Sequence, residues 1–145
     1  MVTFQLEPWA LFQRDAEDLW YIHAAAIGAS LPPALDGTFY QFLESSGQLM
    51  ILTARRAGRI VGYVMVLVRR HPHYDVLCGF EDAYFLLRSE RRGRVGIRMI
   101  QRAIEECKAR GCKRVFFHEK EAAPLPRFFS HLGFSVDSTI WVKEL

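Results

Sequence analysis

Asp82-Ala83-Tyr84-Phe85-Leu86-Leu87-Arg88-Ser89-Glu90-Arg91-Arg92-Gly93-Arg94-Val95-Gly96-Ile97-Arg98-Met99-Ile100 changes character twice. An apolar, aromatic run from Val76 closes at Leu87, broken only by Glu81 and Asp82, and reads as a long central strand. A short basic loop containing Gly93 follows. From Val95 the apolar residues Met99, Ile100, Ala103, Ile104 and Cys107 recur at helical spacing, and Arg110-Gly111 closes the helix. Strand, basic loop and helix in this order make a phosphate-binding arrangement. Backbone N–H groups at a helix start are unpaired, the dipole there is positive, and glycine lets a ligand approach the main chain. Arginines in the loop would add bidentate pairing to phosphate oxygens. The loop is neither GxxxxGK[ST] nor GxGxxG, so neither a P-loop nor a dinucleotide turn is present. The plainer alternative is a basic loop that only caps its helix.

Upstream, Asp15 to Ile27 carries Leu19, Trp20, Ile22, His23, Ala26 and Ile27 at the spacing of an amphipathic helix that ends at Gly28. Pro32-Pro33 breaks the chain. Asp36 then caps a second helix through Phe39, Phe42 and Leu43, ending near Gly47. Met50–Ala54 and Ile60–Val68 flank the turn Arg56-Ala57-Gly58-Arg59 and read as a hairpin. Downstream, Arg114 to His118 reads as a strand, Pro126 to Leu132 as a short helix, and Phe134–Val136 and Thr139–Val142 as closing extended segments. The order is helix, helix, three strands, helix, strand, helix, strands. It describes an α/β (α+β-like) arrangement whose central helix crosses over between parallel strands.

Composition bounds the rest. The chain has 145 residues, 50% hydrophobic and 24% charged, with a mean hydropathy of +0.02. These values suit one domain over residues 1–145 and exclude disorder. The longest apolar run, Ile60–Val68, is too short to span a membrane, and Met1–Glu7 has no basic n-region or long apolar stretch. Cys78, Cys107 and Cys112 form no CxxC pair and read as reduced core thiols of a cytoplasmic protein. The net charge of +3 is unevenly placed. Residues 1–54 carry one basic against six acidic side chains, −5, and residues 55–114 fifteen against six, +9. A basic middle section points to an anionic partner, either a phosphate-bearing cofactor, a nucleic acid or an acidic surface. The acidic first part hints at a cationic acceptor, although six carboxylates could equally be surface groups.

Arg91-Arg92-Gly93-Arg94-Val95-Gly96 resembles the [QR]-x-x-G-x-[GA] signature of the GCN5-related N-acetyltransferases (GNAT), matching its first and last positions, with Arg94 in place of the glycine and Gly93 one residue earlier. Phe128-Phe129-Ser130-His131-Leu132-Gly133-Phe134 is similar to the family's F-Y-x-x-L-G-F segment, with Phe129 where the tyrosine commonly stands. Within the family the chain looks most like the acetyltransferase-type proteins of phage and prophage genomes. The resemblance implies a mixed, mostly antiparallel sheet with a parallel strand pair splayed around the cofactor site and helices on both faces. It further implies acetyl-CoA as co-substrate, with a primary amine attacking its thioester directly. Leu86 and Leu87 would pair by their backbone amides with the pantetheine arm, Arg91, Arg92, Gly93, Arg94, Val95 and Gly96 would hold the pyrophosphate, and Phe129 would lie beside the thiol. The usual tyrosine protonates the departing thiolate, which a phenyl ring cannot do, so Tyr84, His118 or solvent takes that role, or the thiolate leaves unprotonated. Glu81 is the first choice as base and Asp82 the second, since neighbouring strand residues face opposite sides and only one can enter a given cleft. A structural salt bridge is the alternative for one of the two. Many relatives pair through their last strands, which extends the expectation to a homodimer.

Several residues read more plainly. Arg98 and Arg102 suit a solvated helix face, with Arg102 paired to Glu106. His71 and His73 lie in a surface loop without further metal ligands in reach. Trp9, Trp20, Phe39, Tyr40 and Phe42 read as core or lid. The competing functional class is a catalytically degenerate GNAT-like binding domain, regulatory or nucleic-acid-associated, which the basic middle section and Phe129 would suit. No RNP, zinc-finger or helix-turn-helix motif supports it.

Overall fold

A computed structural model describes residues 1–145. The chain runs β1 (Val2–Leu6), α1 (Trp9–Ala26), α2 (Gly37–Ser45), β2 (Leu49–Arg56), β3 (Arg59–Arg70), β4 (Leu77–Leu86), a 3₁₀ turn (Arg88–Glu90), α3 (Val95–Ala109), β5 (Arg114–Phe116) and α4 (Pro126–His131). The five strands lie in sequence order in one sheet, antiparallel except for β4–β5. Parallel neighbours need a crossover, and α3 supplies it. The mixed sheet has a helix-covered core on each face, as expected.

The two faces bury separate cores. Met50, Leu52, Val64 and Val66 pack with Met99, Ile100, Ala103 and Cys107 of α3, while Ile51, Tyr63, Met65 and Phe85 pack with Trp9, Phe12, Ala16 and Leu19 of α1 and Leu43 of α2. The alternation of inward residues along β2 and β3 is what gives both faces an apolar side. The turn at Ala57-Gly58 has positive φ at both residues, 48° and 79°, which suits the twist of a two-residue hairpin.

The outcome differs from the sequence reading at both ends. Val2–Leu6, read only for its lack of a leader, is an edge strand paired with Leu52–Arg56. Helix α1 begins at Trp9 rather than Asp15, because Trp9 and Phe12 extend the Ala16–Leu19 stripe back by two turns and Pro8 sits at the N-cap. Phe134–Val136 and Thr139–Val142 are not strands: they pair with no strand of the sheet, and Val136, Ile140, Trp141 and Val142 are exposed. A strand signal is satisfied only by a neighbour with free hydrogen-bonding groups.

All three cysteines are free and buried, and no helix is long and apolar enough to cross a membrane.

Candidate active site

Strands β4 and β5 pair only across Cys78–Phe80 and Arg114–Phe116 and then diverge. The gap opens into a cleft of about 710 Å³. Its floor is the upper half of β4, one wall is the start of α3, and the other sides come from α1, the β5 end and the segment leading into α4.

At the α3 end, the backbone N–H groups from Arg92 to Ile97 donate to no protein acceptor; the helix ladder begins with Arg98 donating to Arg94 O at 2.9 Å. Arg94, the N-cap residue, offers no side-chain cap. A run of unpaired donors at the positive end of a fifteen-residue helix is a ready anion site. Gly93 makes the turn into it with φ +75°, a left-handed conformation that costs an L side chain roughly 1–2 kcal/mol. The glycine one position early therefore supplies the bend, and Arg94 at φ −107° needs no glycine. Arg91 points back, its Nε donating to Leu86 O at 2.9 Å and its guanidinium 5.7 Å from the Phe85 ring.

Along β4 the main chain alternates. Leu87 N–H is engaged by Val61 O at 2.9 Å, which leaves Leu86, at a non-hydrogen-bonded position opposite Gly62, with its amide turned to the open side. Leu86, Arg91, Gly93 and Gly96 thus line the cleft, whereas Leu87, Arg92, Arg94, Val95 and Phe129 do not.

The two carboxylates owe their placement to a bulge. Opposite β3, Val66 faces Glu81 and Met65 faces Ala83, so Asp82 is an extra residue. It breaks the alternation and lets both side chains line the cleft, contrary to the expectation that only one could. Glu81, 7% exposed, accepts from the His118 backbone N–H at 2.9 Å and lies 3.1 Å from His118 Nδ1. Burial raises its carboxyl above the ordinary carboxylate value, and the two His118 bonds offset only part of that. Asp82, on the outer side of the bulge, accepts from Tyr40 Oη at 2.6 Å. Tyr84 also lines the cleft; burial, then Glu81 and Glu119, push its phenol upward, so it stays protonated. Phe129 stands edge-on to Tyr84 at 5.8 Å, within an aromatic group that includes Phe117 and Phe134.

His23, expected only as part of the apolar stripe of α1, also belongs to the cleft. From the apolar stripe of α1 it reaches the cleft, stacks on Phe85 at 4.9 Å and meets Tyr63 Oη at 2.7 Å through Nδ1. Burial, helped by Lys120 and Arg91, lowers it to about 4 and keeps it neutral near pH 7. A histidine set in an apolar helix face was the available signal. Tyr40, read as core or lid, stacks on Trp9 at 4.4 Å and also orients Asp82.

The charge asymmetry acquires a different meaning. Of the six early carboxylates, Glu7 and Asp15 hold Arg55, Asp36 caps α2 through the Phe39 N–H, and Glu44 accepts from the Trp9 N–H. Only Glu17 and Asp18 have no partner, so the N-terminal acidity is mainly structural.

Residues 9–134 match the family described as Acetyltransferase (GNAT) family. No curated protein matches the chain in sequence. A ribosomal-protein-alanine N-acetyltransferase from Brucella melitensis biovar Abortus 2308 superposes with a TM-score of 0.78 at 16% identity, over 100% of this chain and 98% of its own. A predicted acetyltransferase from Clostridium acetobutylicum, solved with acetyl-CoA, gives 0.73 at 14% identity over 100% and 96%. An aminoglycoside acetyltransferase from an uncultured soil metagenomic sample, in complex with sisomicin, gives 0.74 at 12% identity over 99% and 96%. At these identities the likeness is one of fold. The family match spans most of the sequence and includes both halves of the cleft, and the chain belongs to the GNAT acetyltransferase family.

Proposed function

We propose that this protein transfers an acetyl group from acetyl-CoA to a primary amine by direct attack. The observation that carries the reading is the run of unpaired N–H groups from Arg92 to Ile97 at the mouth of a cleft whose far end holds Glu81 and Asp82. These amides and the loop arginines would hold the pyrophosphate, and the Leu86 amide would pair with the pantetheine arm as an added strand does. The co-substrate supplies an activated acetyl thioester. Glu81, held by His118 and raised by burial above the ordinary carboxylate value, takes the proton that the attacking amine loses. Tyr84, kept protonated, stands in for the hydroxyl that Phe129 lacks and donates to the departing thiolate. Asp82, oriented by Tyr40, presents a carboxylate to a cationic acceptor and is the second choice as base. The exposed Ile140, Trp141 and Val142 support pairing of the last residues with a second copy.

Two measurements test this. Acetyl-CoA at 100-fold its Kd should stabilise the fold by about 2.7 kcal/mol, and no melting shift at millimolar acetyl-CoA refutes the assignment. Incubation with a panel of amines, followed by thiol release, tests turnover. A melting shift without thiol release from any amine would favour the degenerate binding domain instead.

A further inference from the structure

Two groups of the middle section's basic residues stand at opposite ends of α3. One group surrounds the loop at Gly93. The other lies at the far end, where β3 finishes, β4 and β5 begin and α3 closes, and there Arg69, Arg110 and Arg114 are exposed and form no ion pair. Arg69, Arg70 and Arg110 line a surface cavity of about 460 Å³.

Beside this group is an aromatic surface that belongs to neither core. Phe80 of β4 and Phe116 of β5 are register partners, stacked at 5.1 Å and 8°, half-buried and absent from both apolar clusters. His71 lies 6.1 Å from each ring, and Tyr74, exposed, lies 4.8 Å from His71. Guanidinium groups lie over the rings, Arg69 4.9 Å from the Phe80 centroid and Arg114 5.9 Å from the Phe116 centroid, and extend the stack with exposed planar cations.

We propose that this end of the sheet binds single-stranded nucleic acid, with bases stacked on the Phe80–Phe116–His71–Tyr74 surface and phosphates held by Arg69, Arg110 and Arg114. A stack of rings capped by exposed, unpaired guanidinium planes, with Tyr74 open beside it, offers unstacked bases a platform and their phosphates cationic partners. An acidic peptide would satisfy the arginines but leave the rings uncovered, and a duplex hides its base faces. The surface continues along β4 toward the cleft, since Phe80 is two residues from Asp82 and a strand advances about 3.3 Å per residue. The inference does not rest on acetyl transfer.

The test is fluorescence anisotropy with labelled oligothymidylate and oligouridylate of about 15 nucleotides, a duplex of equal length, and polyglutamate as competitor, between roughly 50 and 200 mM salt. Binding of the single strands above the duplex is expected, with affinity falling steeply as salt rises. Tyr74→Ala should weaken it about fivefold or more, and Arg69→Gln with Arg114→Gln should lower the salt slope by about 1.4. An acetyl-CoA melting shift retained in each variant separates failure of this surface from failure of the fold or of the cofactor reading. No single-strand binding at low salt, equal binding of duplex, displacement by polyglutamate at equal charge, or indifference to Tyr74→Ala overturns the proposal.

Discussion

Gly96 is the position at which the fold and the proposed cofactor path make separable demands. A Cβ placed there would lie 3.6 Å from Leu86 Cδ2 and 3.7 Å from Phe128 Cε2, ordinary van der Waals contact, and the backbone is not left-handed. Alanine therefore fits. In the first turn of α3 it also removes the entropic cost of glycine, and Gly96→Ala should stabilise the unliganded protein by about 0.5–1 kcal/mol, roughly 1–4 °C in Tm for a chain of this size. Its methyl stays against the cleft wall, so the acetyl-CoA shift should persist. Leucine adds three further carbons directed at Leu86 and Phe128, an overpacking worth about 1–3 kcal/mol, and fills the space between the α3 start and the open side of β4. Gly96→Leu should fold with a Tm lower by several degrees and lose most of the acetyl-CoA shift. Differential scanning fluorimetry of the three proteins, with and without millimolar acetyl-CoA, reads both effects. A Gly96→Leu protein that keeps the full shift would refute the claim that the ligand passes this point, and a destabilised Gly96→Ala protein would refute the reading of the local packing.

Three other outcomes are expected. Glu81→Gln should lower kcat/KM about 10²–10⁴-fold and abolish the acidic limb of its pH profile; because a raised carboxyl makes the ionised form unfavourable as pH climbs above 4.5, the variant should be at least as stable as the parent at pH 7. An unchanged profile, with the loss appearing in Asp82→Asn, would move the base to Asp82. Tyr84→Phe should reduce kcat more than it raises KM, and to a lesser degree with a thioester whose thiol is more acidic; equal loss with both thioesters would exclude Tyr84 as proton donor. For Glu7, burial alone would raise the carboxyl, but bonds from Arg55, Thr53 and Gln5 more than offset it, and Arg14 with Arg55 lowers Asp15 to about 2. The native state then binds fewer protons than the unfolded chain, so this stability is present above about pH 4.5 and lost as pH falls. Arg55→Met should cost about 3 kcal/mol at pH 7 by leaving Glu7 buried without its cation and should flatten the decline of Tm between pH 4.5 and 2; an acid transition as steep as the parent's would contradict it.

The strand–loop–helix around Leu87 to Gly96 was legible because it is local: a continuous apolar run, a basic loop with a glycine and a 3.6-residue stripe lie within one stretch of chain, and each residue's environment follows from its neighbours. The same holds for the hairpin at Ala57-Gly58 and the cap at Asp36. What the sequence could not reveal depends on partners far along the chain. Whether Val2–Leu6 or Thr139–Val142 becomes a strand is settled by whether a neighbouring edge is open, and only the first finds one. Which way Glu81 and Asp82 point depends on a bulge that exists only because β3 offers one residue fewer than β4 at that point. The pairing of Glu7 and Asp15 with Arg55, more than forty residues apart for Glu7, turned an acidic segment into structure rather than an acceptor surface. His23 entered the site because α1 crosses the face of Phe85. Composition and spacing determined the fold class and the strand–loop–helix proposed to hold phosphate, since both rest on short-range periodicity and helix-end electrostatics. The surroundings of the proposed catalytic carboxylates were decided by the tertiary structure, because burial and hydrogen-bond partners come only from strand register and helix packing.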